Sequence, residues 1–242
     1  MRIPRFYESQ PMRTGEEITL SDTVVQHVSR SLRMRPGDTL RLFNGDGKEY
    51  SASLTAVEKR SARAHITDEH HPSTETDLKV SIGQTLSRGE RMDFAVQKST
   101  EMGVSHITPL FSERCEVKLP PERQQKRIHH WQQIAISACE QSGRVTPPEI
   151  SSPDTLKNWI ASQNAELKLV LHHHSEQPLQ EMVRPASVAL LIGPEGGLTE
   201  DEVELAIQHG FKPLTLGPRV MRTETAPIAA LTLLNYLWGD LG

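Results

Sequence analysis

Two loops near the C-terminus carry the residue types that could do chemistry in this 242-residue sequence. The first is Gly193-Pro194-Glu195-Gly196-Gly197, which follows the apolar run Val188-Ala189-Leu190-Leu191-Ile192. An unbroken run of that kind predicts a strand buried on both faces. Thr199-x-x-Glu202 is a capping box that opens a helix with Val203, Ala206 and Ile207 on one side. Strand, glycine loop and helix in that order set bare backbone amides at the carboxyl edge of a sheet, where open α/β folds take their ligands. A tight connection with no ligand would use the same residues. The second loop lies in Leu214-Thr215-Leu216-Gly217-Pro218-Arg219-Val220-Met221-Arg222-Thr223-Glu224-Thr225 and repeats the order. Two such loops in succession can form opposite walls of one pocket. Glu195 and Glu224 are their acids, and Arg222 is the cation beside Glu224. Those are the groups that accept a proton and neutralise developing negative charge.

A second set of candidates is basic. Arg2, Arg5 and Phe6 with Tyr7 place cations beside stackable rings, and His27, Arg30 and Arg33 recur about three apart on one predicted helix. Arginine on phosphate and an aromatic ring on a splayed base are the usual contacts of RNA binding. A solvated helix face with the rings in a core would look the same. Arg88 and Arg114 stand at loop ends and could meet phosphate, and Arg144, after the glycine that stops a long helix, could face RNA or a partner subunit. The triple histidine His172-His173-His174 suggests a metal, but alternate strand residues point opposite ways and no further ligand stands at usable spacing. No metal is expected.

The elements that must position these groups fall into two regions. Residues 1–72 alternate short β-like runs with turns: Glu17–Leu20, Thr39–Phe43, Glu49–Val57 and Ala62–Thr67. One helix interrupts them, from Ser21 or Asp22 to Met34, with Val24, Val25, Val28 and Leu32 as its buried stripe. Asp68 to Asp77 is polar and aperiodic and reads as a linker. From Leu78, within a second domain taken as residues 73–242, strands alternate with helices, the pattern of a mostly parallel sheet covered on both faces. The helices are Gly89–Met102, Pro121–Gln141, Pro153–Ser162, one after Thr199, and a last one from Thr223 or Thr225 to Trp238. That last helix is apolar nearly all round, so it belongs in a core or an interface.

Composition narrows the class. Hydrophobic residues make up 36% and charged residues 24%, as in soluble globular chains, and no apolar run approaches the length of a membrane span. The N-terminus lacks the apolar stretch of a signal peptide. Cys115 and Cys139 have no metal-type spacing and read as two buried thiols in a reducing cytoplasm. With a net charge of −4, any RNA contact must come from a local patch. There is neither a GxGxxG after a first strand nor a GxxxxGK[ST], so dinucleotide binding and phosphoryl transfer are poor readings.

Together, Gly193-Pro194-Glu195-Gly196-Gly197 and Leu216-Gly217-Pro218-Arg219-Val220-Met221-Arg222-Thr223-Glu224-Thr225 resemble the SPOUT class of RNA methyltransferases. The likeness is greatest to the RsmE family, which methylates N3 of a uridine in 16S ribosomal RNA, and it runs from Met1-Arg2-Ile3-Pro4-Arg5-Phe6-Tyr7 to the last helix. It implies a PUA-like β-barrel before a SPOUT-type α/β trefoil-knot domain. It implies S-adenosylmethionine as cofactor, bent among Leu171–His174, Gly193–Leu198 and Leu216–Arg222. The residues expected around that cofactor are Leu171, His172, Leu191, Ile192, Gly193, Pro194, Glu195, Gly196, Gly197, Leu216, Gly217, Val220, Met221 and Thr225. Arg222 is expected to position uracil or neutralise its oxygens, with Glu224 or Glu195 as proton acceptor. The resemblance further implies a cytoplasmic homodimer through the knot domain, acting on 16S RNA or the small ribosomal subunit. An RNA-binding assembly factor of the same fold without catalysis is the competing reading.

Overall fold

The computed structural model describes residues 3–172 and 179–242, so Arg2, His173 and His174 lie outside the described residues. Two units divide the chain: Met1–Glu75 with Cys139–Pro147, and Thr76–Ala138 with Pro148–Gly242.

In the first unit, β1 (Arg5–Tyr7), β2 (Glu17–Thr19), β3 (Thr39–Phe43), β4 (Glu49–Val57) and β5 (Ala62–His70) form one sheet in the order β1-β3-β4-β5-β2. β1 runs parallel to β3, and the other pairs are antiparallel. Alternate residues face inward: Leu40 and Leu42, then Tyr50, Ala52 and Leu54, then Ala62, Ala64 and Ile66 are all buried. Irregularities at Ser51/Ala52 and Leu54/Ala56 break the β4–β5 register, and extra residues of this kind bend a strand around its core. β5 pairs with β4 as far as Glu49↔His70, so the expected linker begins after His70 rather than at Asp68. α1 (Asp22–Gln26) adds Val24 and Val25 to the core, and Val28 follows from the next turn.

That helix does not continue to Met34 as its spacing suggested. His27–Ser31 widens into a π-turn, with Leu32 N–H donating to His27 O at 2.9 Å. The extra residue per turn throws Leu32 out of the stripe, and it is 50% exposed. Arg33 closes the turn at φ 52°, the one non-glycine residue at positive φ among those described. Met34 N–H reaches back to Val28 O at 2.9 Å, the bond a left-handed C-terminal residue permits.

The second unit is a parallel sheet. β6 (Lys79–Thr85), β7 (His106–Phe111), β8 (Glu149–Ile150), β9 (Asp154–Thr155), β10 (Leu167–Leu171), β11 (Ser187–Ile192) and β12 (Lys212–Leu214) follow the order β12-β10-β11-β6-β7-β8, with β9 paired to β7. Period-two alternation on β11 explains its unbroken apolar run. Val188, Leu190 and Ile192 join one buried cluster, and Ala189 and Leu191 join the other. The first cluster takes in α2 (Arg91–Glu101), α3 (Pro121–Ser142) and α6 (Ala226–Trp238). The second takes in α4 (Leu156–Ser162) and α5 (Glu200–Gln208). Burial of this order, at about 25 cal/mol per Å² of apolar surface, is what holds helices to both faces.

The order β12-β10-β11 matters most for function. The chain leaves β11, passes through α5 and returns on the far side of β10. Three neighbouring parallel strands therefore discharge their following loops at one carboxyl edge.

Candidate active site

The first loop is built by its caps. Thr199 Oγ1 accepts from Glu202 N–H at 3.2 Å and Glu202 Oε2 accepts from Thr199 N–H at 2.9 Å, the capping box read from sequence. The other Glu202 oxygen accepts from Glu113 N–H at 2.8 Å, which fixes the loop after β7 to the start of α5. Gly197 N–H closes a turn onto Pro194 O at 2.9 Å, and Gly197 sits at φ +71°, where a side chain would be strained. A Cβ on Gly193 would lie 2.9 Å from Leu198 Cγ and 3.2 Å from Leu198 N, so only glycine lets the loop fold back this closely.

Glu195 is held rather than free. Arg91 Nη1 donates to its Oε1 at 2.7 Å, and Arg88 N–H reaches the same oxygen at 3.4 Å. Burial alone would raise its pKa, but the loop's own N–H, Arg91 and Arg88 N–H outweigh that and hold the carboxyl below its usual range. Arg114 Nη1 donates to Gly196 O at 3.2 Å and to Leu198 O at 3.4 Å.

The second loop is tied to the first from below. β12 ends at Leu214, earlier than the sequence suggested, but pairing continues through His172 N–H to Leu214 O at 3.0 Å and Thr215 Oγ1 to His172 O at 3.0 Å. Thr223 Oγ1 donates to Gly193 O at 2.9 Å, and Gln84 Nε2 donates to Thr223 Oγ1 at 3.1 Å. Thr85 Oγ1 donates to Ile192 O at 2.9 Å. All of these groups belong to the second unit.

Between the loops lies a cavity of about 670 Å³, within the usual range for a site that takes a small-molecule ligand. Leu171, His172 and Ile192 form its floor beside Gly193, Pro194, Glu195, Gly196 and Gly197. Leu216, Gly217, Val220 and Met221 stand opposite, followed by Arg222 and Glu224. Two expected members do not line it. Leu191 faces the α4–α5 side because strand residues alternate, and Thr225 is an exposed residue at the start of α6. Sequence reasoning missed Arg91, Arg219 and Thr223, which do line it. Each looked like an ordinary helix start or loop residue, and no local spacing marks the 104 residues between Arg91 and Glu195 or the 139 between Gln84 and Thr223. Glu224 is distinctive: its Oε2 is buried and has no hydrogen-bond partner, in a wall of the cavity.

The basic candidates separate sharply. His27, Arg30 and Arg33 are exposed, as an RNA-facing group requires. Arg5 is not: its side chain is 9% exposed, and Nε donates to Glu49 Oε1 at 2.6 Å. Its other nitrogens donate to the carbonyls of Cys139, Glu140, Gly143 and Arg144, which caps the end of α3. Phe6 is buried and stacks under His27 with centroids 5.9 Å apart. Arg144 is buried, and its Nη2 donates to Glu75 Oε2 at 2.8 Å. These three side chains therefore work inside the first unit instead of meeting RNA. Arg88 is exposed and pairs with Glu116 at 2.9 Å, a pairing loose enough to exchange for phosphate. Among the described residues no three His, Cys, Asp or Glu side chains cluster as a metal site would require, and no helix is long and apolar enough to cross a membrane.

Known proteins resemble this chain over its whole length. Residues 74–235 match the RNA methyltransferase domain family and residues 20–67 the RNA methyltransferase PUA domain family. The chain is 37% identical over 242 residues to ribosomal RNA small subunit methyltransferase E of Buchnera aphidicola, covering 99% of this chain and 98% of that one. A Legionella pneumophila protein solved in complex with the bound cofactor SAM superposes with a TM-score of 0.95 at 44% identity, covering all of both chains. The ribosomal RNA small subunit methyltransferase E of Neisseria gonorrhoeae, solved bound to S-adenosyl methionine, gives 0.94 at 40% identity over the same full coverage.

Proposed function

This chain belongs to the RsmE family of ribosomal RNA small subunit methyltransferases, and on that premise we propose that it transfers a methyl group from S-adenosylmethionine to N3 of a uridine in 16S ribosomal RNA. The observation that carries the uridine chemistry is the buried, unpartnered Oε2 of Glu224 beside Arg222 in the wall of the cavity. An orphaned carboxylate oxygen in a ligand site is a proton acceptor without its donor.

The lining fits the cofactor. Leu171, Ile192, Leu216, Val220 and Met221 offer an apolar slot, and the glycine loop offers backbone donors and acceptors for adenine. When bound, S-adenosylmethionine supplies a methyl group already activated on a sulfonium, so the reaction needs no metal. The chain must do the rest. Uracil N3 carries a proton at neutral pH and is a poor nucleophile until that proton leaves. Glu224 accepts it, and Arg222 neutralises the charge that then spreads onto the uracil oxygens. Glu195, already satisfied by Arg91 and Arg88 N–H, keeps the donor loop in shape. In a duplex N3 is hidden by pairing, so the target base enters unpaired or extruded.

The same reading places RNA against the exposed His27, Arg30 and Arg33 in the barrel, against Arg114 and Arg219 in the lining of the cavity, and against Arg88 in the smaller pocket that shares Arg91 and Glu195 with it. The sequence boundary between the barrel and the catalytic domain is proposed to fall after residue 72. A cytoplasmic homodimer through the knot domain accords with exposed Phe94 on α2 and Tyr236 on α6, two helices packed together. Incubation with S-adenosylmethionine and small subunits lacking the modification, followed by nucleoside mass spectrometry, tests the proposal. A stoichiometric 3-methyluridine supports it. Cofactor binding with no methylated nucleoside would favour the assembly-factor reading.

A further inference from the structure

Thr223 lies between the two residues proposed to act on uracil, and its hydroxyl is engaged with the glycine loop and with β6. It is buried, and its single proton is donated to Gly193 O at 2.9 Å. It can then only accept from Gln84, which fixes the amide with Nε2 toward Thr223 at 3.1 Å. That orientation leaves Gln84 Oε1 buried without a partner. Thr85, the next residue, donates to Ile192 O at 2.9 Å. The C-terminal end of β6 thus grips the glycine loop at Ile192 directly and at Gly193 through Thr223.

Stability alone does not demand Gln84 here. The Thr223 hydroxyl satisfies Gly193 O, but a glutamine beside it brings a buried acceptor with no partner, which an apolar residue of the same shape would not. Geometry does give a reason. Gly193 belongs to the wall expected to hold the methyl donor, and Arg222 and Glu224 flank Thr223 on the wall expected to hold the base. Transfer in line between them tolerates little misplacement, on the order of an ångström for a hundredfold loss.

We propose that Thr223 is a positioning residue, with its hydroxyl oriented by Gln84, that sets the register of Arg222 and Glu224 against the donor loop. The proposal rests on the methyltransferase reading above. It is tested with Thr223→Val, Thr223→Ser, Gln84→Met and the double variant Thr223→Val/Gln84→Met. Four readouts apply: kcat on small subunits, Kd for S-adenosylhomocysteine by calorimetry, Tm, and amide exchange in residues 217–225. Expected are a 10- to 100-fold fall in kcat for Thr223→Val, a Kd within about threefold of wild type, and faster exchange confined to that loop. Thr223→Ser keeps the hydroxyl and should stay within threefold of wild-type kcat. The double variant should be no slower than Thr223→Val, because the two act as one unit, and its Tm should be no lower than that of Thr223→Val, because methionine removes the orphaned Gln84 acceptor. Wild-type kcat in Thr223→Val overturns the proposal, as does a fall in kcat matched by a fall in Tm and ligand affinity. A wild-type protein that binds the ligand but methylates nothing overturns the methyltransferase reading itself and this inference with it.

Discussion

Arg91 Nη1 lies 2.7 Å from Glu195 Oε1, and this ion pair ties the first turn of α2 to the Gly-Pro-Glu-Gly-Gly loop. Both side chains are more than a third exposed, 40% and 34%, so the pair contributes little to global stability. Its effect should be local, on the shape of the donor loop. Arg91→Ala is expected to weaken cofactor binding about three- to tenfold in calorimetry while Tm changes by no more than a degree or two. Adding Glu195→Gln to Arg91→Ala should cost nothing further, since the pair is already broken. Additive losses would show that the two side chains act separately.

Glu224 and Glu195 make opposite demands on a test of the proton acceptor. Glu195 has its hydrogen bonds filled and its pKa held down, which suits a strut and not a base. Glu224 has a buried oxygen awaiting a donor. Glu224→Gln should lower kcat by about a hundredfold to ten-thousandfold, the range for loss of a general base, with little effect on cofactor Kd. Glu195→Gln should act mainly on Kd. Arg222→Ala should abolish methylation while cofactor affinity stays within a few-fold. Equal losses of kcat from the two Glu→Gln variants would remove the distinction drawn between the acids.

The loops of this site were legible because their signals are local. A capping box spans four residues, a buried strand is an apolar run, and a glycine bend stands out between them. What escaped notice depends on partners far along the chain. Arg5 and Phe6 read as cation and ring beside each other, yet they form a three-residue strand too short to show a period, and Arg5 finds Glu49 forty-four residues on. Arg144 likewise meets Glu75 sixty-nine residues back. Leu32 fits the helical stripe on paper, but the π-turn at His27–Ser31 adds a residue to the turn, which no side-chain pattern announces. The order of β12, β10 and β11, on which the pocket depends, has no periodic signature, and the family resemblance supplied only the expectation of a knot.

Arg30 and Arg33 are exposed on the turn that ends the barrel helix, and Arg33 holds a left-handed conformation that costs a non-glycine residue about 1–2 kcal/mol. Strain of that kind on an exposed arginine is consistent with a demand on where the guanidinium points. Arg30→Ala with Arg33→Ala should weaken RNA binding and flatten its salt dependence, by about one unit of slope for each phosphate the arginines no longer neutralise. Arg33→Gly separates charge from strain: RNA affinity should fall while Tm rises, because glycine takes φ 52° freely. An unchanged salt slope in the double variant would place the RNA surface elsewhere.

Glu49 contributes a pH dependence to the stability of the barrel. It is 4% exposed and accepts from Arg5 at 2.6 Å and from Arg41. Burial works against its charge, but the bonds to Arg5 and Arg41 prevail and its pKa is lowered from 4.5. A carboxyl whose folded pKa lies below its unfolded one binds more protons when unfolded, so its stabilisation is complete above the unfolded value. Falling pH removes it, beginning near 4.5 and ending below the folded pKa. Glu49→Ala should cost about 3 kcal/mol at neutral pH, the low end for breaking a buried pair, because Arg5 keeps its four carbonyl partners. The loss should shrink as the pH is taken below about 4, where the wild-type carboxylate is itself protonated. Urea unfolding of both proteins between about pH 3 and 7 measures this, and a difference that stays constant across the range would show that the Glu49 charge is not what stabilises the barrel.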